Sequence, residues 1–234
     1  MISLTPWLQH LSEHLPVARE GQDREGVHQV RVAVRRLRVW LELAGMGILE
    51  DDLAWLVRGA GKVRDLEVLL GYPRLPKAFQ DWAKDRLGEA RTELVPMLDS
   101  ARLKGLLQAL SSLPPLERPL AEGRLGRFVH RVRRRAEGWE RHDDFERLHA
   151  LRRALRKLRY AREWLALDTE AIKELQDALG AVGDITFTLN YLDAFEADGG
   201  KATVQFRRGL ETRLTKALGE AKASWESQKN AVLS

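Results

Sequence analysis

The chain has 234 residues, enough for one large domain or two small ones, and 44% hydrophobic content with seven tryptophans excludes disorder. It has no cysteine, which excludes disulfides, thiol nucleophiles and thiolate metal sites. The net charge is +5, and the positive residues are clustered, so the expected partner is a polyanion such as nucleic acid, a phosphate polymer or an anionic lipid surface.

Leu, Ala, Arg and Glu dominate while Ile, Thr and Tyr are scarce, a balance that favours helices over strands. Leu8, Leu11, Leu15 and Ala18 form a first apolar stripe at helical period, ending near Gly21. Val27, Val30, Val34, Leu37 and Leu41 form a second, ending near Gly45 and Gly47. Leu53, Leu56, Ala60, Val63 and Leu70 predict a third helix, stopped by GYPRLP at 71–76. Phe79, Ala83, Leu87, Ala90 and Leu94 carry a fourth, with an interruption expected near Pro96. A short fifth rests on Leu103, Leu106, Leu107 and Leu110 and is terminated by SLPPLERP at 112–119.

Helical pattern resumes with Leu125, Val129, Val132, Ala136 and Trp139, then from about Phe145 to Leu167. A further helix is predicted from Thr169 to Ala197, with a break near Gly183, then a turn at DGG, 198–200. A final helix is expected from Ala202 to Lys229. The N-terminal residues lack a charged region followed by an apolar run, so no secretory signal is expected there. No apolar run is long enough for a membrane span either, so a cytoplasmic protein without membrane contact is expected.

One motif occurs twice. His28-x-x-Arg31-x-x-x-Arg35-Arg36-Leu37-Arg38 returns as His149-x-x-Arg152-x-x-x-Arg156-Lys157-Leu158-Arg159, at a constant offset of 121. Each copy is followed by Gly-x-x-x-Asp, GKVRD at 61–65 and GAVGD at 180–184. The order and spacing imply two related helical halves, about 1–112 and 119–234, within one domain spanning 1–234.

On a helical wheel with His28 at zero, Arg35 falls near −20°, Arg31 near −60° and Arg38 near −80°, so the four share one stripe bordering the apolar face. The second copy has the same geometry, with Leu148, Leu151, Leu155 and Leu158 as its apolar partners. Arginines one turn apart repel each other, and the first helix offers no acid beside them. A guanidinium fork matches phosphate oxygens, and a fork at each turn suits a repeating anion. A solvated or internally ion-paired face is the competing reading.

The doubled motif, together with LRYAREWLA at 158–166 and Trp225, resembles the CHAD family, the conserved histidine α-helical domain, from about Leu4 to Lys229. The resemblance implies an all-α fold of two pseudo-symmetric four-helix bundles around a basic central groove or pore. It also implies binding of inorganic polyphosphate, other polyanions as further ligands, and a place beside polyphosphate granules. Position by position, the implied ligands are His28, Arg31, Arg35, Arg36 and Arg38, then His149, Arg152, Arg156, Lys157 and Arg159. Lys62 and Arg64 extend the first set, whereas GAVGD has no matching cation. The two stripes are expected to face each other across one groove. A standalone copy is expected, without a triphosphate-tunnel catalytic domain.

Asp65 and Asp184 read either as acid–base residues or as caps and ion-pair partners of ladder arginines, with the structural role favoured. Arg124, Arg127, Arg131, Arg134 and Arg135 form either a solvated outer face or a second wall of the groove. Cationic neighbours argue against a metal at His28 or His149, and His10 and His14 lack further ligands. No phosphate loop, nucleophile elbow or paired carboxylates occur, so no catalysis and no cofactor are expected. A nucleic-acid binder and a phosphate-polymer-processing enzyme remain the rival functions. Few aromatics lie near the ladders to stack bases, and no carboxylates stand among them to hold magnesium.

Overall fold

A computed structural model describes residues 1–201 and 204–233. Its described residues form helices, in order α1 (Thr5–Glu20), α2 (Arg24–Ala44), α3 (Glu50–Leu70), α4 (Lys77–Leu98), α5 (Ala101–Ser111), α6 (Arg118–His142), α7 (Phe145–Trp164), α8 (Glu170–Ala197) and α9 (Val204–Leu233). The only β pairing among the described residues is a single antiparallel bridge between Ile2 and Leu116. The chain divides into two compact units, Met1–Arg118 and Pro119–Ser234.

In unit 1, α2 is the central element, packed against α1 on one side and α3 on the other, with α4 and α5 completing the layer around α3. α2 starts at Asp23, whose carboxylate accepts a hydrogen bond from the Glu25 N–H at 2.8 Å, satisfying one of the orphan donors of the first turn. Val27, Val30, Val34, Leu37 and Leu41 are all at most 1% exposed, so the stripe read from the sequence is the core face. Glycine is needed at position 26: a Cβ there would stand 2.5 Å from the Ala18 nitrogen of α1, closer than atoms can approach. Trp40 is fully buried, and its indole N–H donates to the Ile2 carbonyl at 3.1 Å.

Unit 2 consists of α6 to α9, with α8 packed against both α7 and α9. α6 buries Ala121, Phe128, Val132, Ala136 and Trp139 and is tied to α9 by the Trp225 indole N–H donating to Glu140 Oε1 at 2.6 Å. α7 opens on Asp144, which accepts from the Arg147 N–H at 2.8 Å, and buries Leu148, Leu151, Leu155 and Leu158.

Two expected helix breaks do not occur. Pro96 lies inside α4, two residues before its end at Leu98, where a lost N–H leaves almost no helix beyond it to kink. α8 runs through Gly183 without interruption, because that glycine makes room for an arginine. The DGG turn closes with the Gly200 N–H donating to the Phe195 carbonyl at 2.9 Å and Gly199 at φ 88°. The expected start of the last helix at Ala202 lies outside the described residues, and α9 is described from Val204.

Candidate anion-binding site

α2 turns its basic stripe toward α3. His28, Arg31, Arg35 and Arg38 are each half-buried, at the border between core and solvent that the wheel geometry predicts. Arg64 of α3 acts on the same group: burial first and the Arg64 charge next push the His28 pKa below the ordinary histidine value, with lesser contributions from Arg35 and Arg31, against an opposing pull from Glu25. One imidazole thus feels the charges of three guanidiniums from two helices. Such a cluster lowers its own energy when an anion enters, and it favours His28 uncharged until one does.

The ladder also carries acids that the helix's own sequence does not show. Arg31 Nη1 donates to the Gly61 carbonyl at 2.8 Å and to Asp65 Oδ1 at 2.9 Å, and its side chain is only 13% exposed. Arg38 Nε donates to Glu50 Oε1, the first residue of α3, at 3.1 Å. The expectation of a ladder without acids is therefore corrected. Both carboxylates come from α3, far along the chain, so helix-local spacing could not reveal them. Asp65 acts as an ion-pair partner of a ladder arginine.

Behind this layer stands a carboxylate that sequence reasoning missed. The Glu67 side chain is fully buried, accepts from Arg91 Nη2 of α4 at 2.8 Å and lies 3.8 Å from Arg64 Nη1. Burial raises its pKa, against the opposing pull of Arg91, Arg64 and Arg24. The available signal was an acid on the apolar side of α3, one turn from Arg64.

Not every implied ligand joins the cluster. Arg36 lies on the other flank of α2, its guanidinium 4.2 Å above the Trp7 ring of α1. Lys62 is exposed and pairs with Glu93 of α4 at 2.6 Å.

In unit 2, desolvation of the covered part of the His149 ring and the charges of Arg153, Arg152 and Arg156 lower its pKa in the same sense as that of His28, although His149 as a whole is the more exposed of the two. Arg152, Arg156, Lys157 and Arg159 are half-buried on α7, and His149 and Arg153 are exposed. Arg159 Nε lies 3.5 Å from Glu163 Oε1 on the same helix, with its guanidinium 5.1 Å above the Tyr160 ring.

The units differ at one place. Aligning Asp184 with Asp65 sets Gly183 against Arg64, since 184 − 65 and 183 − 64 are both 119. The Arg152 guanidinium occupies that space: a Cβ on Gly183 would stand 1.8 Å from Arg152 Nη1. Its nearest carboxylate contact, to Asp184 Oδ1, is 3.9 Å, against 2.9 Å for Arg31 and Asp65. Arg152 therefore fills the place that α3 gives to a second cation, and unit 2 lacks a counterpart of Arg64.

His10 and His14 stack at 4.2 Å between centroids, with His10 Nε2 2.9 Å from Gln29 Oε1 and His14 Nδ1 2.8 Å from the His10 carbonyl. Among the described residues, no group of three metal-binding side chains stands together, and no helix is long and apolar enough to cross a membrane.

A family model for the CHAD domain matches residues 3–192, most of the chain and all of both motif copies. No curated protein matches the chain. Among solved structures, the CHAD domain from the plant Ricinus communis superposes with a TM-score of 0.74 at 22% identity, covering 97% of this chain and 89% of that one. PptA from Streptomyces chartreusis gives 0.63 at 18% identity, covering 97% of this chain and 95% of that one. Those identities speak for the fold alone, but the family match rests on the sequence itself. The chain belongs to the CHAD domain family.

Proposed function

We propose that the protein binds inorganic polyphosphate without turning it over, through the basic stripes of α2 and α7. The observation that carries this reading is the half-buried basic stripe of His28, Arg31, Arg35 and Arg38 along α2, with Arg31 and Arg38 held toward α3. Guanidiniums pinned at one edge by Gly61, Asp65 and Glu50 keep their remaining N–H donors directed, which reduces the entropy lost on binding. The carboxylates that reach the ladder, Asp65 and Glu50, are engaged with Arg31 and Arg38, which favours a positioning role for them over magnesium ligation. The protein would act in the cytoplasm, where polyphosphate granules supply the polymer.

Calorimetric titration with long-chain polyphosphate tests the reading on wild type and an Arg31→Ala/Arg35→Ala/Arg152→Ala/Arg156→Ala variant. The variant should lose about tenfold or more per arginine that contacts phosphate, since a charge-assisted hydrogen bond contributes about 1.5–3 kcal/mol. Wild-type affinity should fall steeply with salt, as polyanion binding does when counterions are released. Equal affinity for the two proteins would sink the site. Ready displacement of polyphosphate by RNA or DNA at physiological salt would favour a nucleic-acid binder. Sustained phosphate release with magnesium, abolished in the variant, would favour an enzyme.

A further inference from the structure

α6 carries a second concentration of cations outside the ladders. Arg127, His130, Arg131, Arg134 and Arg135 follow the i, i+3, i+4, i+7, i+8 spacing, so they share one helix face, and together they line an open recess of about 250 Å³. Arg127, His130, Arg134 and Arg135 are exposed, while Arg131 is half-buried with its guanidinium 5.4 Å from the Phe128 ring centroid. The core residues of α6 lie about 120° around the helix from this strip. Arg127, His130 and Arg134 therefore face away from the packed side, while Arg131 and Arg135 border it beside Phe128.

Two acids of α6 are engaged elsewhere. Glu137 lies 3.6 Å from Arg141, and Glu140 accepts from the Trp225 indole. Among the described residues, Arg127, Arg134 and Arg135 have no carboxylate partner. Like charges one turn apart repel, and along α9 Lys216, Lys222 and Lys229 are each paired with an acid. A multivalent anion would relieve the repulsion.

The recess also limits which anion fits. Phe128 beside it is 1% exposed and offers no face for a base, which leaves the His130 imidazole as the one ring lining the recess. Its donors are guanidiniums repeated each turn over about 12 Å, which suits closely spaced phosphates carrying no bases. We propose that this face of α6 is a further binding strip for condensed phosphate chains, in addition to the stripes of α2 and α7. The proposal rests on the polyphosphate reading above. A long chain that engages both surfaces gains affinity through effective concentration, and a short one does not.

The test uses the full chain with an Arg127→Gln/Arg134→Gln/Arg135→Gln variant, which leaves the Arg131–Phe128 contact in place. An Arg58→Gln/Lys84→Gln/Lys104→Gln variant makes the same change in net charge elsewhere. Titrations with long-chain polyphosphate and with tripolyphosphate, each over a range of salt, give affinities and salt slopes. The α6 variant should lose about tenfold or more for the long chain and keep its tripolyphosphate affinity. Its long-chain salt slope should flatten by about 0.9 per phosphate contact removed, if polyphosphate behaves as duplex DNA does.

Long-chain affinity and slope equal to wild type would overturn the strip, as would an equal loss in the charge control. Loss of single-stranded RNA binding with polyphosphate binding intact would overturn it in favour of a nucleic-acid surface. The ladder variant separates the two readings. If it binds normally while the α6 variant fails, the strip stands and the ladder reading falls; if neither variant loses affinity, both fall.

Discussion

Arg31 and Arg152 hold matching places in the two copies of the motif, yet their guanidiniums come to rest differently. Arg31 is gripped by Gly61 and Asp65, whereas Arg152 lies over Gly183 with a looser carboxylate at 3.9 Å. Single glycines test this difference. Gly183→Ala should raise or preserve stability, because alanine gains about 1 kcal/mol over glycine inside a helix and the clashing atoms belong to a movable guanidinium. It should nonetheless weaken phosphate binding in unit 2 by displacing Arg152. Gly61→Ala meets Arg31 Nη1 at 3.3 Å and should shift it by only a few tenths of an ångström, with little change in binding. Thermal melts and polyphosphate titrations on the two variants check both statements. At this scale the sequence was legible where residues share a helix. His28, Arg31, Arg35 and Arg38 fall on one stripe as their spacing requires, whereas Glu50, Glu67 and Trp7 reach the ladder from other helices and leave no mark on its period.

At the level of elements, the apolar stripes located α1 to α7, because burial of one face is what selects the helical period. Helix ends and breaks were less legible. Pro96 and Gly183 were read as breakers from local preference, and packing overrode both. The elements are also locked together by polar contacts that periodicity does not encode. Glu67 joins α3 to α4 through Arg91, and Glu67→Ala would leave that arginine, 27% exposed, facing an emptied site. The expected cost is about 2 kcal/mol, below that of a fully buried pair because Arg91 still reaches solvent. Denaturant unfolding of the variant measures this. Arg64 also loses its neighbour at 3.8 Å, so the same variant should bind polyphosphate more weakly than its lost stability alone explains.

For the molecule as a whole, the two ladder histidines give stability and binding opposite dependences on pH. His28 and His149 both titrate below the ordinary histidine value in the folded chain, so the unfolded chain binds more protons between the folded and unfolded pKa values. Their contribution to stability is complete above the unfolded value of about 6.5 and is lost as pH falls from there through the folded values. Polyphosphate binding should run the other way. A bound polyanion favours the imidazolium, so affinity should rise and protons should be taken up as pH drops from about 8 to about 5. Titrations in buffers of different ionisation enthalpy measure the uptake, and a His28→Gln/His149→Gln variant should abolish most of it. Thermal unfolding over the same range should show wild-type stability falling on the acid side more than that of the variant.

The bridge between Ile2 and Leu116 has a consequence for how unit 1 holds together. Their mutual backbone hydrogen bonds, 2.7 and 3.0 Å, set the first and last residues of that unit side by side, beneath the Trp40 indole. Unit 1 is therefore nearly a ring, lacking one covalent link. Its connectivity could be cut in the turn between α3 and α4 and rejoined by a short turn inserted between Arg118 and Met1, a circular permutation that keeps the Ile2–Leu116 bridge and every helix contact within the unit in place. The order in which its helices follow one another is then separable from the surface they present, and the α2 stripe would survive the rearrangement.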